Sequence, residues 1–321
     1  MIKKGIRPQL AEVGKIKTGY KGKTVTSTNG KNFRPPKKLD YFVVTTTERD
    51  ADGNLIANKD IMERLGEKPR ELRIRLPFDS VDKNFFTQYQ FYTGAHKVCS
   101  GDGETAERLI LKSGKQRLPF DDGEKEVNAK EGQRIKIKCD PENCPIYNRE
   151  SGGCKVSGIL SAFLPDADDL GGVYKFRTHS FNSVSSILAA LNYFKANTGG
   201  ILQGLPLKLV MVKKTTNEHG TINYATVVID GTEIRGLRQL AVEENQSRKL
   251  LGTDVQAIEQ AAEESGFFTD TDPEDVIDAE FYSVDGDGEP TGAEDVKEAL
   301  KESEEADTQD GPEVDPSQEL F

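Results

Sequence analysis

Four cysteines are the residues best suited to chemistry in this chain, and three of them fall within one short stretch, Cys139-x4-Cys144-x9-Cys154. The fourth, Cys99, lies forty positions upstream of Cys139. The intervening residues (Asp140-Pro-Glu-Asn and Pro145-Ile-Tyr-Asn-Arg-Glu-Ser-Gly-Gly) are turn formers, which suits knuckles that point sulfur inward. Four thiolates gathered from two segments match a closed tetrahedral Zn2+ site, and the expectation is structural zinc on Cys99, Cys139, Cys144 and Cys154. The gaps differ from the paired CxxC ribbon pattern, and free thiols are the alternative reading. His96, three residues before Cys99, is the other candidate for the remote ligand.

Evidence of catalysis in the sequence is thin. The chain has no P-loop, no GxSxG elbow and no HExxH, and its three histidines (His96, His179, His219) sit beside turns or strand ends. Asp166, Asp168 and Asp169 form an acidic loop, for which solvation is the simpler reading than a divalent ion. The expectation is therefore a protein that is not an enzyme. A metal-dependent hydrolase is a third reading, for which no acid/base pair is visible.

The elements that must position these residues read as strands for most of the first two thirds. Candidate strands are 41–47, 70–78, 85–94, 134–138, 155–164 and 173–178, so strands bracket the cysteine loop on both sides. Lys59 to Leu65 reads as a short helix. A helix follows from Ser183 to Lys195, with apolar positions 184, 187, 188, 191 and 194, Asn182 as N-cap and Gly199-Gly200 as stop. Pro206–Thr215 and Thr221–Ile229 predict a hairpin, and 232–250 and 255–264 two further helices. This pattern predicts an α+β fold. The expected core is β-barrel-like, of which the OB type is one form, with a four-cysteine zinc excursion, C-terminal helices and a disordered acidic tail.

Charge divides the chain more sharply than its net −11 suggests. From Asp270 to Phe321 there are 20 Asp and Glu against two Lys, a net of −18, which leaves +7 for residues 1–269. Residues 1–40 are expected as a basic extended arm, 41–266 as the zinc-containing α+β domain, and 267–321 as the tail, which has too little apolar surface to offset its chain entropy. A basic arm can neutralise phosphates, or it can be a solvated terminus. The candidate phosphate contacts are Lys21, Lys23, Arg34, Lys37 and Lys38, joined by Arg73 and Arg75 from a strand of alternating charge. Tyr89, Phe91 and Tyr92, from an aromatic-rich strand, are candidates for stacking bases, with packing into the chain's own core as the alternative. DNA, with single strands favoured, is the expected ligand.

The tail closes in Gln318-Glu-Leu320-Phe321. That ending resembles the acidic, Phe-terminated tails of podophage and bacterial single-stranded-DNA-binding proteins. It also resembles the Gln…Leu-Phe peptides that dock on the bacterial sliding clamp, from which it departs by one residue between Gln318 and Leu320. Gln318, Leu320 and Phe321 are therefore the expected contacts for a phage or host replication or recombination protein. A purely solubilising tail is the alternative. No run of about 18 apolar residues is present, so the expectation is no membrane partner and a place in the host cytoplasm.

Several short motifs carry a resemblance of their own. They are Gly19-Tyr-Lys-Gly22, Arg34-Pro-Pro-Lys-Lys-Leu-Asp-Tyr-Phe42 with Thr45-Thr-Thr47, Val98-Cys-Ser-Gly-Asp-Gly-Glu-Thr105, the cysteine loop, and Phe176 to Ala190 with its Thr-His-Ser-Phe-Asn-Ser-Val opening. Over about residues 13–232 the chain resembles the phage recombination-directionality-factor-like family, whose best known member redirects a serine integrase from integration to excision. Relatives often carry hydrolase or metal-binding labels. The resemblance implies a phage DNA-transaction protein. It leaves open an accessory role in replication and recombination or direct binding to a serine integrase.

Overall fold

The computed structural model describes residues 11–21, 25–26, 32–33, 36–50, 55–93, 96–148, 153–167, 172–216, 220–264 and 281–283. The chain divides after Ser283: Met1–Ser283 form one unit, and Val284–Phe321 a second that lies wholly outside the described residues. The expected tail ending, with Gln318, Leu320 and Phe321, is also outside the described residues, as are Lys23 and Arg34.

In chain order the first half contains β1 (Glu12–Lys21), β2 (Val25–Thr26), β3 (Asn32–Phe33), β4 (Pro36–Arg49), β5 (Leu55–Ala57), α1 (Lys59–Leu65), β6 (Glu71–Ile74), α2 (Val81–Asn84) and β7 (Phe85–Thr93). Then β8 (His96–Gly101), β9 (Thr105–Leu109), β10 (Gly114–Phe120), β11 (Gly123–Ala129) and β12 (Arg134–Lys138) lead into the cysteine loop. Beyond it come β13 (Lys155–Ala162), β14 (Val173–Thr178), α3 (Phe181–Asn197), β15 (Leu207–Thr216), β16 (Gly220–Ile229), α4 (Ile234–Leu251), α5 (Val255–Glu264) and β17 (Phe281–Ser283).

The fold is α+β, but the barrel-like, OB-type core is not what forms. The strands lie in open sheets, the largest ordered β12-β9-β8-β7-β13-β14-β1-β4-β5, with β17 paired to β1. Closing a barrel requires the two outer strands to pair. Here β5 has three residues, and β12 alternates exposed Arg134, Lys136 and Lys138 with Ile135 and Ile137, a charged edge that resists further pairing. A second sheet, β16-β15-β6, lies beside the first and joins it through the Arg75–Phe163 bridge.

Within the expected basic arm, Glu12–Lys21 instead form a central strand, paired to β14 on one side and β4 on the other. The alternation of Lys with Ile16 and small Gly14 suits a strand crowded on one face. A Cβ at Gly14 would stand 2.1 Å from Thr45 O and 2.7 Å from the Tyr174 ring, so only glycine fits.

The main core joins both sheets to α3, through residues such as Ile16, Phe42, Leu72, Phe85, Leu160, Phe176, Ile187, Leu191 and Leu209. Phe42 and Phe176 meet edge to face at 6.1 Å. On α3 the buried Val184, Ile187, Leu191 and Phe194 are the face expected from their spacing, but the helix starts earlier and Ser180, not Asn182, is its cap, its side chain accepting from Ser183 N. α3 also shields the outer edge of β16: Ala225 N donates to Ser183 Oγ at 3.0 Å, and the Ser186 and Thr226 hydroxyls share a 2.6 Å bond.

α4 and α5 are strongly polar and bury little, Leu237, Ala241 and Arg248 on the first and nothing fully on the second. They are fastened by polar contacts to the turn between β6 and α2. Arg248 pairs with Asp79 at 2.6 Å, and Glu259 Oε1 accepts from Asp79 N and Ser80 N at 2.8 and 2.7 Å. Among the described residues no helix is long and apolar enough to cross a membrane.

Candidate metal centre and nucleic-acid interface

The cysteine loop leaves β12 at Lys138 and enters β13 at Lys155, as its position between alternating strands predicts. Its backbone is pinned at both ends: Cys139 N donates to Glu104 O at 2.8 Å, and Cys154 N to Ile146 O at 3.0 Å. Asn148 N closes a turn on Cys144 O at 3.1 Å. Ile146 is buried, and Tyr147 packs edge to face on Tyr89 of β7, centroids 5.4 Å apart. Cross-strand register puts Tyr89 opposite Gly101 and Phe91 opposite Cys99, so the loop folds over the face that carries Cys99.

All four thiols are half-buried, and Cys99, Cys139 and Cys154 each register the charge of at least one other cysteine. Burial, reinforced by Cys99, Cys144 and Cys139, pushes the Cys154 thiol up to about 12. Burial likewise raises Cys99 and Cys139, with Arg108, directly opposite Cys99 on β9, pulling Cys99 the other way. Gly101 is the cradle of the site: a Cβ there would stand 2.9 Å from Cys139 Sγ and 2.6 Å from Ala106 Cβ. The donor set and this close approach fit a thiophilic cation such as Zn2+. Among the described residues, no group of three or more His, Cys, Asp or Glu side chains stands in metal-holding geometry.

His96 stands at the exposed start of β8 opposite Thr93. The register shift between Phe91 and Tyr92 returns it to the face of Cys99 despite the odd spacing. Sequence reasoning missed Arg108 and Tyr147 near this centre, because only strand register and loop folding bring them there.

Among the described residues, the expected nucleic-acid residues are divided between the two sheets. Pairing of β1 with β4 sets Lys21 opposite Pro36, Tyr20 opposite Lys37 and Gly19 opposite Lys38, so two basic stretches converge at one end of this pair. Arg73 lies on β6, in the other sheet, and Arg75 just past its end, at the bridge to Phe163. Arg73 is held by both oxygens of Asp166, whose carboxylate raises the guanidinium further. Arg75 is half-buried, and that burial lowers it. Tyr89 is packed beneath Tyr147, while the Tyr92 hydroxyl lies 3.4 Å from Gln90 Oε1. Lys15 of β1 and Lys175 of β14 lie side by side and both pair with Glu12, at 3.5 and 2.8 Å. With buried Lys17 and Arg177 they make a basic row that the sequence reading placed in a loose arm or passed over.

A family model described as Gp3-like, recombination directionality factor-like, matches residues 13–231, about two thirds of the chain. No curated protein and no solved structure matches.

Proposed function

Because the chain belongs to the recombination directionality factor-like family, a link to phage recombination, we propose that it is a non-catalytic DNA-binding accessory protein of replication and recombination. The observation that carries this reading is the β1–β4 pairing, which brings the Lys21 and Lys37–Lys38 stretches together at one end of the strand pair. Lysines converging there neutralise phosphates without reading bases, which suits single-stranded DNA. Zinc on Cys99, Cys139, Cys144 and Cys154 has a structural role, since four thiolates leave no open position for a reacting water. It clips the loop that covers Tyr89 and Cys99. The acidic tail recruits a replication or recombination protein through Gln318, Leu320 and Phe321.

The test is titration of the full chain with labelled single- and double-stranded oligonucleotides at two salt concentrations. Salt-dependent binding, tighter to single strands, is expected. Absence of binding at low salt removes this reading.

The family description favours a second reading, a directionality factor that binds a serine integrase directly and needs no DNA affinity of its own. Co-purification with an integrase in the absence of DNA, together with a null oligonucleotide titration, would establish it.

A further inference from the structure

Register carries one row of side chains straight across five strands of the large sheet: Lys136 on β12, Glu107 on β9, Ser100 on β8, Gln90 on β7 and Lys155 on β13. Directly opposed residues of an antiparallel pair share a face, so all five project from one side. The neighbouring row, Ile135, Arg108, Cys99 and Phe91, projects from the other side, that of the cysteine centre. The same strands therefore present a second face, about 19 Å across at the usual strand spacing.

The middle of this face is a network of uncharged donors and acceptors. Ser100 Oγ donates to Gln88 Oε1 at 2.6 Å, Gln90 Nε2 reaches the same oxygen at 3.4 Å, and the Tyr92 hydroxyl lies against Gln90 Oε1. With its oxygen so occupied, the Gln88 amide keeps Nε2 without a partner among the described residues. Ser157 stands directly opposite Gln88, on β13. It is 2% exposed, and among the described residues its hydroxyl is the one buried side-chain oxygen or nitrogen without a hydrogen-bond partner. Such a group costs desolvation free energy that no bond offsets, and the strand would gain by carrying alanine instead. An amide and a hydroxyl left open at opposed positions match a flat heteroaromatic edge that carries ring-nitrogen and carbonyl acceptors.

Charge and aromatic rings frame the network. Arg134 and Lys136 on β12 and Lys155 on β13 are exposed, and none of them forms an ion pair among the described residues. Against these three cations the row sets one carboxylate, Glu107. Phe86 stands on the same side of β7 by alternation, opposite Ile159, and Tyr92 by its contact with Gln90. Rings that stack bases, amides that meet base edges and cations that follow phosphates are the parts a sheet face uses on nucleic acid. A flat face reaches base edges where the bases are unpaired, which selects a single strand.

We propose that the face of β8, β7 and β13 turned away from the cysteine centre binds single-stranded nucleic acid, with one base against Gln88 and Ser157 and the neighbouring phosphates on Lys136 and Lys155. It rests on the nucleic-acid reading above, and it adds base contacts that are separate from the Lys21, Lys37 and Lys38 contacts.

Titration of the full chain with a single-stranded oligonucleotide, and with an abasic backbone of the same length, tests the face. Ser157→Ala removes an unsatisfied group, so its urea midpoint should equal or exceed that of the wild type. The same variant should bind the oligonucleotide about fivefold more weakly and the abasic backbone as the wild type does. Lys136→Ala/Lys155→Ala should weaken both ligands and reduce the salt slope by about 1.4. Unchanged oligonucleotide affinity in Ser157→Ala overturns the base contact, as does an affinity loss that comes with a lower urea midpoint, which marks a serine that supports the strand. An unchanged salt slope in the double lysine variant overturns the phosphate contacts. If both variants bind as the wild type does while Lys37→Ala/Lys38→Ala weakens binding, the face falls and the nucleic-acid reading stands. Absence of binding by the wild type at low salt removes that reading and the face with it.

Discussion

Gly101 and Cys139 approach so closely that a Cβ on the glycine would stand 2.9 Å from the cysteine sulfur. The same Cβ would meet Thr105 O at 2.6 Å, and backbone cannot yield as a side chain can. Gly101→Ala should therefore cost about 1–3 kcal/mol of stability, read by urea unfolding, and should lower zinc stoichiometry.

Metal analysis of protein purified without chelator should return one zinc per chain. Strong chelation should lower Tm by several degrees, and Cys144→Ser should bind zinc weakly, because removing one thiolate opens a closed site. Zinc far below one per chain would leave free thiols as the better reading.

The Tyr89–Tyr147 contact separates packing from base stacking. Tyr147→Ala should destabilise the chain by about 1 kcal/mol beyond the area lost and leave oligonucleotide affinity within twofold, provided the loop stays folded. A tenfold loss of affinity at unchanged stability would restore Tyr89 as a stacking residue and add Tyr147 beside it.

Arg73 and Lys38 were equivalent in sequence and are not in structure. Arg73 is already committed to Asp166, whereas Lys38 is exposed beside β1. Lys37→Ala/Lys38→Ala should weaken single-strand binding and reduce the salt slope by about 1.4, whereas Arg73→Ala should leave the slope unchanged.

Asp79 anchors the polar helices. Burial pushes its carboxyl up, but hydrogen bonds from Arg248 and from the Leu202 and Gln203 amides outweigh it and hold the group below the usual carboxylate range. A depressed carboxyl stabilises the fold above the unfolded value of about 3.9 and loses that contribution as pH falls through its native value. Urea midpoints of the wild type should fall as pH drops from 5 toward 3, more steeply than those of Asp79→Ala. At pH 7 that variant should be less stable by about 3 kcal/mol, since Arg248 and two amides lose their partner.

Local pattern was sufficient for most elements. The strands 134–138 and 173–178, the α3 face and the α5 helix all follow from alternation, apolar spacing and caps within a few residues, which are short-range physics. The cysteine loop was legible because its turn residues and thiols sit in one segment. Tertiary structure alone decided that the sheet stays open, since closure depends on which edges meet, and that Lys15 and Lys17 belong to a central strand, since neither β14 nor β4 can be known as neighbours from β1. It also decided which charges are spent: Arg73 pairs with Asp166 across 93 positions and Arg248 with Asp79 across 169, distances over which sequence carries no signal of partnership. The sequence by itself determined the chemistry available to this protein, and long-range pairing determined which of it remains free to act.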